Sequence, residues 1–269
     1  MIGSSSNAKV KQVIRWQTKA KERRDAGIFL TEGPKLFEEA PIEDVKEVYV
    51  TGNALEEARR QPALNRKLER TGWEVVSDDV FARMSDTRTP QGILCVVRRP
   101  AYEPERLFDG PAPLLVLLED IQDPGNLGTI VRTGEGAGIT GVIMTKGTVD
   151  LFHPKTVRAT MGSIFRVPYL CVEGLEEIIG TLHERGVSTY AAHLDGKRYY
   201  DGFSYQGGTA FLIGNEAGGL RRETAGLAQH YLKIPMEGKL ESLNAGVAAS
   251  LLMYEAHRQR NEAQRWLCR

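Results

Sequence analysis

Residues 114–118, LLVLL, are apolar at every position. A strand with one wet face alternates apolar and polar residues, so a strand without alternation is covered on both sides. That is the mark of an inner strand in a parallel sheet flanked by helices. The same theme repeats downstream. Short apolar runs (GVIMT, VPYLCV, STYAAH, TAFLIG, HYLKIPM) are separated by segments of helical pattern, and a long helix from about Leu243 to Arg265 closes the chain. Strands alternating with helices predict a doubly wound α/β domain, in which ligands sit at the carboxyl ends of the strands.

The first hundred residues alternate too, on a smaller scale. An amphipathic helix from Lys9 to about Arg24, with Val10, Val13, Ile14 and Ala20 on its apolar side, precedes strands at GIFLTEG, VKEVYVTG, WEVVS and GILCVVRRP. Helices fill the intervals, one of them broken near Pro62. Between them and LLVLL lies RRPAYEPERLFDGPAP, with four prolines and no period, which reads as a linker. The expected organisation is a small α/β domain over residues 1–98, a linker over 99–112 and a larger domain over 113–269.

Net charge is zero, from 35 basic and 35 acidic residues, but it is unevenly placed. Residues 1–30 carry seven basic side chains (Lys9, Lys11, Arg15, Lys19, Lys21, Arg23, Arg24) against two acidic ones. Such a segment is either a phosphate-contacting surface or a solvated helix face. No apolar run is long enough to span a bilayer, and no leader pattern opens the chain. The expectation is therefore a cytoplasmic protein whose cysteines (Cys95, Cys171, Cys268) stay reduced, with no metal site. Gly136-Ala-Gly138-Ile-Thr-Gly141 matches a dinucleotide fingerprint, but it closes a helix and leads into a strand, the reverse of the required order. A P-loop, a GxSxG elbow and an HExxH helix are missing from the sequence.

Three segments carry more. In LEDIQDPGNLGTIVRTGEGAG a strand end delivers Asn126 to a helix start, with Arg132 six residues on. Taken singly, Asn126 is a helix cap or a polar site residue, and Arg132 a surface charge or a ligand contact. FLIGNEAGGL, 211–220, ends a strand in Gly214-Asn215-Glu216 and then Gly218-Gly219, leaving backbone bare where a ligand approaches. IPMEGKLESLNAGVAASLLMYE, 234–255, carries Glu241, Ser242 and Asn244 into a helix rich in small residues.

In this order and spacing the three segments resemble the SpoU (TrmH-type) family of RNA 2'-O-ribose methyltransferases, of the SPOUT class. The first half, VKQVIRWQTKAKERRDAGIFLTEGPKLFEEA, looks like that family's RNA-binding domain. The resemblance implies a parallel sheet with a deep trefoil knot, a homodimer, S-adenosylmethionine as methyl donor, and RNA as substrate. Ribosomal RNA, 23S in particular, is favoured over tRNA. Carried over by position, Gly214, Ile234 and Leu243, with Met236, Leu212 and Asn215, match cofactor contacts. Arg132, Asn126, Glu216 and Asn244, with Ser242 nearby, match the polar active-site positions. Arg132 is expected to stabilise the developing alkoxide, oriented by Glu216 and Asn244. Lys9, Lys11, Arg15 and Lys19 are expected to hold RNA phosphates. Two positions depart from the family pattern, Ala217 after the Gly-Asn-Glu triplet and Gly246 two places after Asn244. Competing readings are a tRNA methyltransferase, a non-catalytic RNA-binding assembly factor and a dinucleotide-dependent oxidoreductase.

Overall fold

The structure is a computed structural model that describes residues 1–267; Cys268 lies outside the described residues. The chain divides into two compact units, one of Met1–Ala101 with Asp150–Phe165, the other of Tyr102–Val149 with Arg166 onward.

The first unit holds α1 (Ala8–Thr18), α2 (Ala20–Asp25), β1 (Ile28–Glu32), α3 (Pro34–Glu39), β2 (Val45–Thr51), α4 (Gly52–Arg59), α5 (Pro62–Thr71), β3 (Glu74–Val76), α6 (Asp78–Met84) and β4 (Ile93–Arg98). Its sheet runs β1-β4-β2-β3, with β4 antiparallel to both neighbours and β2 parallel to β3. Val10 and Val13 of α1 are fully buried beside Leu30, Tyr49 and Phe81. The single helix expected over 9–24 is two. Lys19 is extended (φ −118°, ψ 103°), and the Thr18 hydroxyl donates back to the Ile14 carbonyl, closing α1. The break lets α2 turn Arg23 inward.

Arg23 is 2% exposed, and its guanidinium meets the Asp150 carboxylate at 2.6 Å and the Trp16 carbonyl at 2.6 Å. A buried guanidinium without such acceptors would be prohibitively costly. Phe152 and Phe165 pack against Phe29 as tilted ring pairs, with centroids at 4.9 and 5.8 Å. These contacts explain why Asp150–Phe165, including α8 (Pro154–Thr160), packs with the first unit, although the expected second domain runs unbroken from 113 to 269.

The second unit contains β5 (Leu114–Leu118), α7 (Pro124–Ala137), β6 (Gly141–Thr145), β7 (Tyr169–Val172), α9 (Glu176–Glu184), β8 (Ser188–Ala192), β9 (Arg198–Tyr199), β10 (Thr209–Ile213), α10 (Arg222–Leu227), β11 (His230–Lys233) and α11 (Ala245–Leu267). Its sheet has the order β7-β6-β5-β10-β8-β11-β9, and every pairing is parallel. All five side chains of β5 are fully buried, as continuous apolarity requires. Leu107, inside the proline-rich stretch, is also buried. The Gly136–Gly141 run caps a helix: Gly138 takes the left-handed conformation (φ 79°, ψ 37°) at the end of α7, and its N–H donates to Glu135.

Burial pushes the Cys95 thiol up to about 12, so it is inert at neutral pH. Among the described residues no helix is long and apolar enough to cross a membrane, and no cluster of His, Cys, Asp or Glu could hold a metal ion.

Candidate functional site

The carboxyl ends of β8, β10 and β11 converge on a cleft of about 330 Å³. One wall is the loop after β10. Asn215 and Gly219 exchange backbone hydrogen bonds of 3.0 and 2.8 Å, folding the loop back on itself. The turn closes because Gly214 has no side chain: a Cβ there would stand closer than 3.0 Å to the Gly219 carbonyl carbon and oxygen and to the Leu220 nitrogen. The facing wall is Ile234, Met236 and Leu243, with Ala245 and Ala248 from α11. Backbone donors and acceptors on one side and apolar side chains on the other suit a flat heteroaromatic ligand with a polar tail.

Of the six expected cofactor contacts, Gly214, Asn215, Ile234, Met236 and Leu243 line this cleft. Leu212 does not. It is fully buried in the cluster between the sheet and α9, with Leu117 and Leu182. Asn215 lines the cleft, but its side chain builds the loop: the amide donates to the Asp120 carbonyl at 2.8 Å, and Oδ1 accepts from the N–H groups of Ala217 and Gly218 at 2.9 Å.

Beside the cleft, three chain segments meet in one polar relay. Glu216 accepts from Asn126 Nδ2 at 2.9 Å, and Asn126 Oδ1 accepts from Asn244 Nδ2 at 2.8 Å. Asn244 Oδ1 then accepts from the N–H groups of Gly246 and Val247, which starts α11. A carboxylate can only accept and backbone N–H can only donate, so both amide orientations follow from the ends of the chain. Asn126 is thus no helix cap; Asp123 fills that role, accepting from the Asn126 N–H at 2.9 Å. Gly246 leaves room for this crossing, since a Cβ there would lie 3.2 Å from Asn244 Oδ1 and 3.5 Å from the Asn126 carbonyl.

Glu216 also accepts from the backbone N–H groups of Gln122 (2.9 Å) and Asp123 (3.0 Å). Burial pushes its carboxyl up, but these donors together with Asn126 outweigh it and hold the group below the usual glutamate range. Glu216 and Asn244 therefore orient Asn126, not Arg132 as expected. Arg132 lies on the exposed side of α7, and its side chain makes no hydrogen bond or ion pair among the described residues. Ser242 is exposed on the cleft's rim.

On the basic segment, the Lys9 ammonium is paired with Glu74 and Lys19 lies 3.5 Å from Glu22, while Lys11 and Arg15 are exposed and form no ion pair among the described residues. Charge counting missed that Arg23 is committed to the interior. It also passed over Glu119 and Asp120, which follow β5. Asp120 adopts a left-handed backbone (φ 55°) and accepts from the Thr145 hydroxyl at 2.7 Å. A left-handed aspartate at a strand's carboxyl end marks a turn, held in place here by that bond. The acidic pair immediately after an uninterrupted apolar strand was its trace in the sequence.

Residues 113–254 match the SpoU rRNA Methylase family, and residues 7–95 match the MRM3-like substrate binding domain. The chain is 34% identical over 255 residues to the 23S rRNA (guanosine(2553)-2'-O)-methyltransferase RlmP of Bacillus subtilis, covering 94% of this chain and 97% of that one. Among solved structures it resembles the SpoU methyltransferase AviRb of Streptomyces viridochromogenes in complex with AdoMet. The TM-score is 0.83 at 28% identity, over 94% of this chain and 98% of that one. An AdoMet-bound rRNA methyltransferase from Sinorhizobium meliloti gives a TM-score of 0.82 at 31% identity, over 96% and 97%.

Proposed function

The chain belongs to the SpoU rRNA methylase family, and from that premise we propose that it methylates the ribose 2'-hydroxyl of 23S ribosomal RNA with S-adenosylmethionine. The parallel sheet and closing helix are the architecture of the SPOUT class, with the deep trefoil knot that sets the class apart from the usual unknotted chain. The observation that carries the reading is the Glu216–Asn126–Asn244 relay standing beside a cleft walled by glycine backbone.

The residues fit the cofactor. Gly214, Gly218 and Gly219 offer peptide groups without side chains, and Ile234, Leu243 and Ala245 give an apolar slot for an adenine ring. When bound, S-adenosylmethionine supplies an electrophilic methyl group on a sulfonium. The chain's own task is to align a ribose hydroxyl with that methyl and to ease the loss of its proton. Arg132 serves as stabiliser of the developing alkoxide and as a phosphate ligand. A guanidinium stays protonated, so another group or water removes the proton. Asn126, locked in one orientation by Glu216 and Asn244, presents a fixed edge to the nucleotide.

The first unit holds structured RNA through phosphate contacts, with Lys11 and Arg15 the basic groups available on α1. Two copies of the chain build the complete site. On α11, Val247, Leu251 and Tyr254 are 47%, 37% and 48% exposed and recur at i, i+4 and i+7, an apolar stripe fit for a twin helix. The protein works in the cytoplasm, where its RNA is found.

The test is transfer of labelled methyl from S-adenosylmethionine to unmodified 23S rRNA and to tRNA, with Arg132→Ala in parallel. The expected result is label on 23S rRNA, resistant to alkaline cleavage at one position, and lost in Arg132→Ala while cofactor binding survives. Label on tRNA alone would replace the substrate. Cofactor binding with no label on either RNA would favour an assembly factor. Loss of cofactor binding in Arg132→Ala would refute its assignment to the transfer step.

A further inference from the structure

Glu216 is one of two carboxylates at the glycine loop. The other, Glu119, directly follows β5 and is completely buried. Its Oε2 accepts from the Arg221 backbone N–H at 2.7 Å, and its Oε1 from Arg221 Nε at 2.8 Å. Arg221 Nη2 closes the ion pair at 2.8 Å, and the Thr224 hydroxyl donates to the same oxygen. Arg221 is the N-cap of α10 and has no side-chain cap of its own, so Glu119 supplies the missing acceptor from the neighbouring strand. Meanwhile Glu216 reaches the other way, from the loop after β10 to the N–H groups of Gln122 and Asp123. The two carboxylates cross, each leaving one strand end to hold the segment that follows the other.

These anchors hold the stretch Gly214–Leu220, the backbone wall of the cleft. An apolar side chain would occupy the place of Glu119 without desolvating a charge. What the carboxylate adds is direction, because it fixes the backbone and the side chain of Arg221 together. We propose that Glu119, acting through Arg221, is a positioning residue that sets the cofactor-facing wall of the cleft, while Glu216 sets the nucleotide-facing side through Asn126. The proposal rests on reading this cleft as the S-adenosylmethionine site.

Arg221 is half exposed and does not line the cleft, so its truncation leaves the contact surface in place, while Tm reads the cost of leaving Glu119 buried without its counter-ion. The experiment compares the full-length wild type with Arg221→Ala, Arg221→Lys and Thr224→Val. It measures S-adenosylmethionine Kd by calorimetry, kcat on transcribed 23S rRNA at saturating cofactor, and Tm. Arg221→Ala is expected to raise Kd about tenfold, the scale of one lost charge-assisted bond, with kcat within about twofold of wild type. Arg221→Lys should recover part of the affinity, and Thr224→Val should lose less than Arg221→Ala. A fall in Tm with Kd unchanged would overturn the proposal and leave Glu119 a purely structural residue. Wild type that fails to bind S-adenosylmethionine would overturn the reading of the cleft itself, and the positioning role with it.

Discussion

Gly214→Ala tests whether the cleft wall depends on a missing side chain. The added methyl would sit closer than 3.0 Å to three backbone atoms of Gly219 and Leu220, where ordinary contact begins at 3.4 Å. Backbone cannot rotate aside as a side-chain tip can, so the two arms of the loop must part. Overpacking of this kind costs about 1–3 kcal/mol. Parting the arms also breaks the two Asn215–Gly219 hydrogen bonds, at about 0.5–1.5 kcal/mol each. The total is about 2–6 kcal/mol, and a central 4 kcal/mol corresponds to roughly 8–16 °C in Tm for a unit of this size. The internal control is Gly218→Ala, four residues away, where a Cβ would meet only Asn215 Oδ1 at 3.8 Å; its stability should stay within about 0.5 kcal/mol of wild type. Scanning calorimetry of both variants, followed by titration with S-adenosylmethionine, reads the outcome. Gly214→Ala within about 2 °C of wild type and with unaltered affinity would show that the loop yields freely, and the close-approach reasoning would fail.

Three further expectations follow from the same geometry. Neutralising Lys11 and Arg15 together should flatten the salt dependence of RNA binding by about 1.4–1.8 in log–log slope, whereas Lys9→Ala, already paired with Glu74, should change it far less; equal effects would remove the distinction. Glu216 has a folded-state pKa below its ordinary 4.5, so its contribution to stability is full above that value and is lost as pH falls through the depressed one. The Tm gap between wild type and Glu216→Gln should therefore close from about pH 5 downward, and a gap that widens there would contradict the assignment. Leu251→Glu with Tyr254→Glu should halve the mass seen by light scattering and abolish transfer; a wild type that already runs as a single chain would end the two-copy reading.

How far the sequence discloses this site depends on what each residue does with its bonds. Asn126, Glu216 and Asn244 were legible because each stands in a short segment whose glycines and strand ends restrict what can surround it. Their mutual partners were not, since the relay joins positions 90 and 118 apart in the chain. Leu212 was misplaced for a related reason. β10 is buried on both faces, so alternation cannot tell which of its residues looks towards the cleft. Lys9 and Arg23 look identical to Lys11 and Arg15 in a charge count, yet Glu74 and Asp150 neutralise them from 65 and 127 residues away. Glu119 went unseen because a carboxylate after a strand normally faces water, and only the fold brings Arg221 over it.

The excursion of Asp150–Phe165 has a consequence for biosynthesis. Domains tend to fold as units while the chain is being made, the amino-terminal one first. Here the earlier unit lacks the counter-ion for Arg23 and two of the rings against Phe29 until residue 165 has been synthesised. By then β5, α7 and β6 of the later unit have already been translated. Truncation after the proline-rich stretch should accordingly yield a fragment with an uncompensated guanidinium at its centre. A nascent chain of 165 residues should be the shortest that resists protease across its first hundred.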